Sequence, residues 1–284
     1  MTTTARPAPE TTGRTRRMRR PAWFPVLLVA ALALVLVFLV LPVVAIFAHT
    51  SPSKLISSLD DPSAKDALRL SIETSAIAIG VILVVGTPAA WLLATREFPA
   101  KQLVVTLVEL PLVLPPAVAG IALLAALGPN GILGDTLKSA GIELVLRTAG
   151  VVVALTFVSA PFYLRQAQAA FASLDRSWLE ASRTLGAGEA RTFARIAIPS
   201  AAQGLAAGLA LAWGRALGEF GATLMFAGSF RGITQTAPLA IYERFATDFD
   251  GALALSAVLV AVSGALLLGV KALWGSGALG GAAR

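Results

Sequence analysis

Six apolar runs, at about 22–48, 68–94, 103–127, 149–171, 201–227 and 252–274, limit what this chain can fold into. Each is close to or above the ~20 residues a helix needs to cross ~30 Å of hydrocarbon. Inside a bilayer the backbone must satisfy its own hydrogen bonds, so such runs predict an all-α polytopic membrane protein with six transmembrane helices. Only 14% of the residues are charged, against about 25% in a soluble domain. The polar gaps leave no room for a soluble domain of useful size. The first run is too long for a signal-peptide core and lacks a clear cleavage site, so it reads as a retained helix.

The net charge of +7 would suggest nucleic acid in a soluble chain. Here the arginines of the Thr/Pro/Arg-rich segment 1–21 stand directly before an apolar run, so they read as a disordered basic tail and no nucleic-acid partner is expected. Basic residues concentrate in that tail, at Arg96 and Lys101, and around 173–200. The positive-inside rule then places both termini and the 173–200 loop in the cytoplasm. The permease domain is expected over 22–274, with a short cytoplasmic tail at 275–284. There is no cysteine and one histidine, His49, which excludes a disulfide framework, a thiol nucleophile and a His/Cys metal cluster. No phosphate-cradling loop is present, since GDTLKSAG does not fit G-x-x-x-x-G-K-[ST]. The chain is therefore not expected to be an enzyme or to bind a cofactor.

The polar island 180–199 reads EASRTLGAGEARTFARIAIP. Ser177 and Glu180 have capping-box spacing, with Asp175 a rival cap. Trp178, Ala181, Ser182 and Leu185 recur at helical spacing and predict one face. Gly186 supplies a left-handed stop. A second helical piece, 189–198, carries Phe193, Ile196 and Ala197 on one side and should end at Pro199.

This stretch resembles the signature loop of ABC-transporter permease subunits through Glu180, Ala181, Gly186, Ile196 and Pro199, with Ser182 and Ile198 as mild departures. The resemblance implies a coupling helix that docks a separate ATPase, carried by Glu180, Ala181, Ser182, Leu185 and Gly186. In the third run, ELPLVLPPAVAG places Pro111, Pro115 and Pro116 in a helix that should bend, with Gly120 allowing close approach. This helix reads either as pathway-lining or as a kinked packing helix. Glu109 lies near its inner end. In the fifth run, Gly204 with Gly208 and Gly214 with Gly218 form small-xxx-small pairs. Arg215 and Glu219 stand four apart, can pair, and read either as shaping the path or as a buried structural pair.

GRALGEFGATLMFAG and the later QTAPLAIY are similar to molybdate-type permeases, relatives of the sulfate and tungstate permeases. That resemblance implies a type I importer moving a tetrahedral oxyanion. It also implies a second copy of the permease, a cytoplasmic ABC ATPase dimer using ATP and Mg, and an extracytoplasmic oxyanion-binding protein. An ion-coupled secondary transporter using Arg215 and Glu219 is the competing class. On the outer side, Thr236 before Ala237-Pro238 predicts a helix start, and Leu239, Tyr242 and Phe245 an apolar edge for surface packing or an external protein.

Overall fold

The computed structural model describes residues 23–280. The tail 1–21 lies outside the described residues, as do 281–284. In chain order the helices are α1 (Trp23–His49), α2 (Pro52–Asp60), α3 (Pro62–Thr95), α4 (Lys101–Val113), α5 (Pro116–Leu127), α6 (Gly134–Ser139), α7 (Thr148–Ala172), α8 (Arg176–Thr184) and α9 (Glu189–Thr192). A π-helical turn, Phe193–Ala197, leads into α10 (Ile198–Ser200), α11 (Ala202–Leu217), α12 (Gly221–Ala227), α13 (Ala237–Phe245) and α14 (Phe249–Gly280). The fold is all-α, as the apolar runs require, and α14 continues past the expected end at 274.

Four helices, Trp23–His49, Pro62–Thr95, Thr148–Ala172 and Phe249–Val270, are each long and apolar enough to span a bilayer. The pairs Lys101–Val113 with Pro116–Leu127, and Glu189–Ser200 with Ala202–Leu217, are each bent, by 119° and 74°. Counting each bent pair as one span gives the six expected. The chain divides at Ala45/Ile46 into two units. α1, which supplies the described part of the first, is apolar on every side, as suits a helix surrounded by lipid tails.

In the second unit α7 is the central helix, with α3 and α11 packed along it and α14 against α11. Small residues let these helices approach. A Cβ on Gly204 would collide with that of Ala170, and one on Gly208 would stand 3.0 Å from Gln166 Cβ. The second pair behaves otherwise. Nothing lies within 4 Å of a Cβ on Gly214, and on Gly218 it meets only the Gly214 carbonyl at 3.6 Å, so these two glycines mediate no close approach between helices. Some polar side chains between helices pair with one another, while the buried hydroxyls of Ser159 and Thr223 do not. Thr87 and Tyr163 hydroxyls pair at 2.7 Å, and Trp213 Nε1 donates to Ser75 Oγ at 3.1 Å. Such bonds replace water, which the bilayer interior does not supply.

The two ends of the unit differ. One carries the 96–101 turn with α8 and α9, joined by the Arg96–Glu189 ion pair at 2.6 Å. The other carries α2, α6 and α13. There Arg244 of α13 pairs with Asp61, whose other role is to cap α3 through the Ser63 N–H. Thr236 does start α13, but Leu239 turns into the core while Tyr242 and Phe245 stay exposed. The expected three-residue edge is therefore two residues wide.

Candidate functional site

The sequence-selected residues fall into two places, an exposed knob on the α8 end and a buried junction of broken helices.

Asp175, not Ser177, begins α8: its Oδ1 accepts the Ser177 N–H at 2.9 Å. The capping-box expectation is therefore corrected. Ser177 already lies inside the helix, and Asp175 reaches the free amide from the N-cap position itself. That bond favours the charged carboxylate and holds Asp175 below its ordinary range. At the far end the Gly186 N–H bonds the Arg183 carbonyl at 2.9 Å and the Ala187 N–H the Ser182 carbonyl at 3.0 Å, a Schellman stop. It requires the left-handed φ of 76° found at Gly186.

The expected single face of α8 is split. Ser182 is buried and pairs with Thr192 Oγ1 at 2.8 Å, while Leu179 packs toward the core. Trp178, Ala181 and Leu185 point away, with Leu185 87% exposed and Glu180 beside them. The departure to serine at 182 thus has a structural use, since its hydroxyl fastens α8 to the next segment. Spacing alone offered no sign of this partner ten residues on.

Pro199 does not terminate the second piece; it sits in the first turn of α10. A proline inside a regular helix would strike the carbonyl four residues back, here that of Arg195. The π turn at Phe193–Ala197, with Ile198 N–H bonded to the Phe193 carbonyl, widens the helix just before it. The 74° turn comes at Ala201. Phe193 anchors the turn among Trp91 and Phe171, with ring centroids 5.6 and 6.1 Å away. The knob is thus continuous through this turn with α11.

The buried junction lies at the far end of α11. The helix stops at Leu217, with Gly218 as its C-cap and Glu219 and Phe220 in the gap before α12. Glu219 is 1% exposed. Its Oε1 accepts the Ala222 N–H at 2.7 Å, so it caps α12 from outside the helix. A carboxylate is favourable at that positive helix end. Its Oε2 lies 2.5 Å from Arg215 Nη1, off hydrogen-bond alignment, so this contact is an ion pair. The pair forms as expected, though across a helix end and not along one face.

The third run does not merely bend. Leu114 and Pro115 both precede a proline and both adopt extended backbone, with ψ of 130° and 138°. A residue before proline is pushed out of the helical region, and two in succession separate α4 from α5. Pro111 lies within α4 without ending it. This break meets the other one. A Cβ on Gly221 would stand 2.7 Å from Pro116 Cβ, and one on Gly120 2.6 Å from Met225 Cβ. Pro115 and Pro116 are thus brought to the same junction as Arg215 and Glu219. Among the described residues no cluster of His, Cys, Asp or Glu could hold a metal.

Broken, tightly packed half-helices within an apolar bundle, and a capped helical knob at one end, define the class as a polytopic all-α membrane protein. A chain from the crystal structure of a bacterial ABC transporter involved in the import of the acidic polysaccharide alginate shares the fold with TM-score 0.71 at 17% identity, over 88% of this chain and 94% of that one. Residues 68–274 match the family described as binding-protein-dependent transport system inner membrane component, and the chain belongs to it. It is 40% identical over 237 residues to the molybdenum transport system permease protein ModB of Mycobacterium bovis, covering 84% of this chain and 90% of that one. The sulfate transport system permease protein CysW of Synechocystis is 32% identical, over 83% of this chain and 88% of that one.

Proposed function

We propose that this chain is the membrane subunit of an ATP-driven importer carrying molybdate, or a related tetrahedral oxyanion, into the cytoplasm. The similarity to ModB favours molybdate, and the weaker similarity to CysW makes sulfate the second cargo to test. The concentration of arginines on the α8 end supports a cytoplasmic placement of that end. Partners are a second copy of the chain, a cytoplasmic ATPase dimer that binds ATP and Mg, and an extracytoplasmic protein that delivers the anion. The chain itself needs no cofactor.

The observation that carries this reading is the α8 knob. It exposes Trp178, Ala181 and Leu185 while Ser182 and the aromatic cluster hold its base. A groove on the ATPase can grip such a surface, and its displacement passes through the π turn to α11. Nucleotide binding then shifts a two-state membrane part by stabilising one arrangement. The pathway candidates Arg215, Glu219, Pro115 and Pro116 lie at the other end of that lever.

The test is uptake of radiolabelled molybdate by proteoliposomes holding this chain with its ATPase and binding protein. Glu180→Ala and Gly186→Pro should reduce ATP-driven uptake and ATPase association. Unchanged uptake with unchanged association removes the docking role, and uptake driven by a proton gradient without the ATPase removes the importer reading. Sulfate and tungstate competition against the binding protein decides the cargo.

A further inference from the structure

The inner half of α4 presents three different faces. Lys101, Val105, Val108 and Leu112 are partly buried, toward the packed side of α4. Leu103, Leu107 and Leu110 form an exposed apolar face, 59%, 57% and 46% exposed, suited to lipid. Between them Gln102, Thr106 and Glu109 follow the i, i+4, i+7 rule and form a polar stripe, with Gln102 and Thr106 exposed. Facing that stripe, Arg165 of α7 approaches Glu109 at 3.7 Å and keeps 71% of its side chain exposed.

Depth gives the stripe its meaning. Arg165 stands seven residues before Ala172, the last of α7. At ~1.5 Å per residue this is about 10 Å from the helix end, and α7 exceeds a ~30 Å hydrocarbon core by only a few ångströms on each side. An arginine at that depth faces a protein interior or a water-filled cavity. The apolar face of α4 shows where lipid belongs, and it is not the face Arg165 approaches. Thr106 commits its donor to the Gln102 carbonyl at 2.9 Å and presents acceptor lone pairs that suit water.

We infer that Gln102, Thr106 and Glu109 of α4, with Arg165 of α7, line the aqueous inner half of the anion path, and that Arg165 is its basic station. The inference rests on the importer reading for direction and cargo; the water access of the stripe does not. The chemistry suits a tetrahedral dianion. Arg165 offers a fixed positive charge, and Glu109 beside it weakens the hold so that the anion leaves instead of lodging. A conducting path needs binding strong enough to enter and weak enough to release.

The natural absence of cysteine makes the test direct. Single-cysteine variants of the full chain, in sealed inside-out membrane vesicles, are treated with membrane-impermeant methanethiosulfonates, one anionic and one cationic. Thr106→Cys and Gln102→Cys should react roughly tenfold or more faster than Leu103→Cys and Leu107→Cys, because a thiol ionises and reacts in water, not in lipid. Thr106→Cys should prefer the anionic reagent by several-fold, and Arg165→Ala should abolish that preference while Arg165→Lys keeps it. Equal reactivity of Thr106→Cys and Leu107→Cys overturns the aqueous stripe, and a charge preference indifferent to Arg165→Ala overturns the basic station. Absence of ATP-driven uptake by the cysteine-free parent chain, alongside the expected labelling pattern, would count against the importer reading alone.

Discussion

The α8 loop and the Arg215–Glu219 junction face the same problem, how to end one helix and begin another, and solve it in opposite ways. At the loop, an exposed aspartate and a left-handed glycine terminate α8, and water can satisfy whatever they leave. At the junction no such help is available. Two successive residues before proline split α4 from α5, and a 1% exposed glutamate caps α12 while facing an arginine. The comparison teaches that the solvent around a helix end decides the chemistry of its cap. In water a neutral or singly charged cap suffices; among apolar side chains the cap must bring its own counter-charge.

The largest expected effect breaks the buried side of this contrast. Arg215→Ala strands the Glu219 carboxylate and should destabilise the protein by about 3–5 kcal/mol, seen as a lowered unfolding temperature in detergent. Glu219→Gln should do less harm, because the amide oxygen still caps α12 and Arg215 is partly exposed. Next comes the packing seam. Gly204→Leu should cost about 1–3 kcal/mol through collision with Ala170. Gly214→Ala, whose Cβ meets nothing, should be neutral or slightly stabilising in the same thermal assay.

The exposed side should respond more gently. Gly186→Ala, forced to a φ of 76°, should cost about 1 kcal/mol locally, read as faster amide exchange in α8. Smallest is Asp175→Ala, which should fray the first turn of α8, with Asp175→Asn close to the parent protein. The sign with pH follows from the depressed Asp175 carboxyl. The charged cap contributes above the unfolded pKa and is lost as pH falls through the lower folded value, so α8 should fray only in acid. Exchange at Ser177 that is indifferent to acid would sink this.

Much of this was legible beforehand because it depended on local rules. Hydropathy located the spans, Gly186 announced its left-handed turn, and the Gly204–Gly208 spacing announced a seam. Arg215 and Glu219 were readable as a pair because they sit four residues apart. What escaped notice depended on partners distant in space or on competition between neighbours. Asp175 displaced Ser177 as cap because both could serve and only the backbone path chose. Pro199 looked like a terminator, yet a widened turn absorbed it. The side of α8 on which Ser182 belongs was set by Thr192, which periodicity cannot see. The prolines announced a bend, but the size of 119° came from two extended residues in succession.

The contacts of Gly120 with Met225 and of Gly221 with Pro116 have a mechanical corollary. Two short rods interlocked at backbone distance cannot slide past each other without opening a void between them. α5 and α12 must therefore travel as a single wedge, joined to α4 only through Leu114–Pro115 and to α11 only through 218–220.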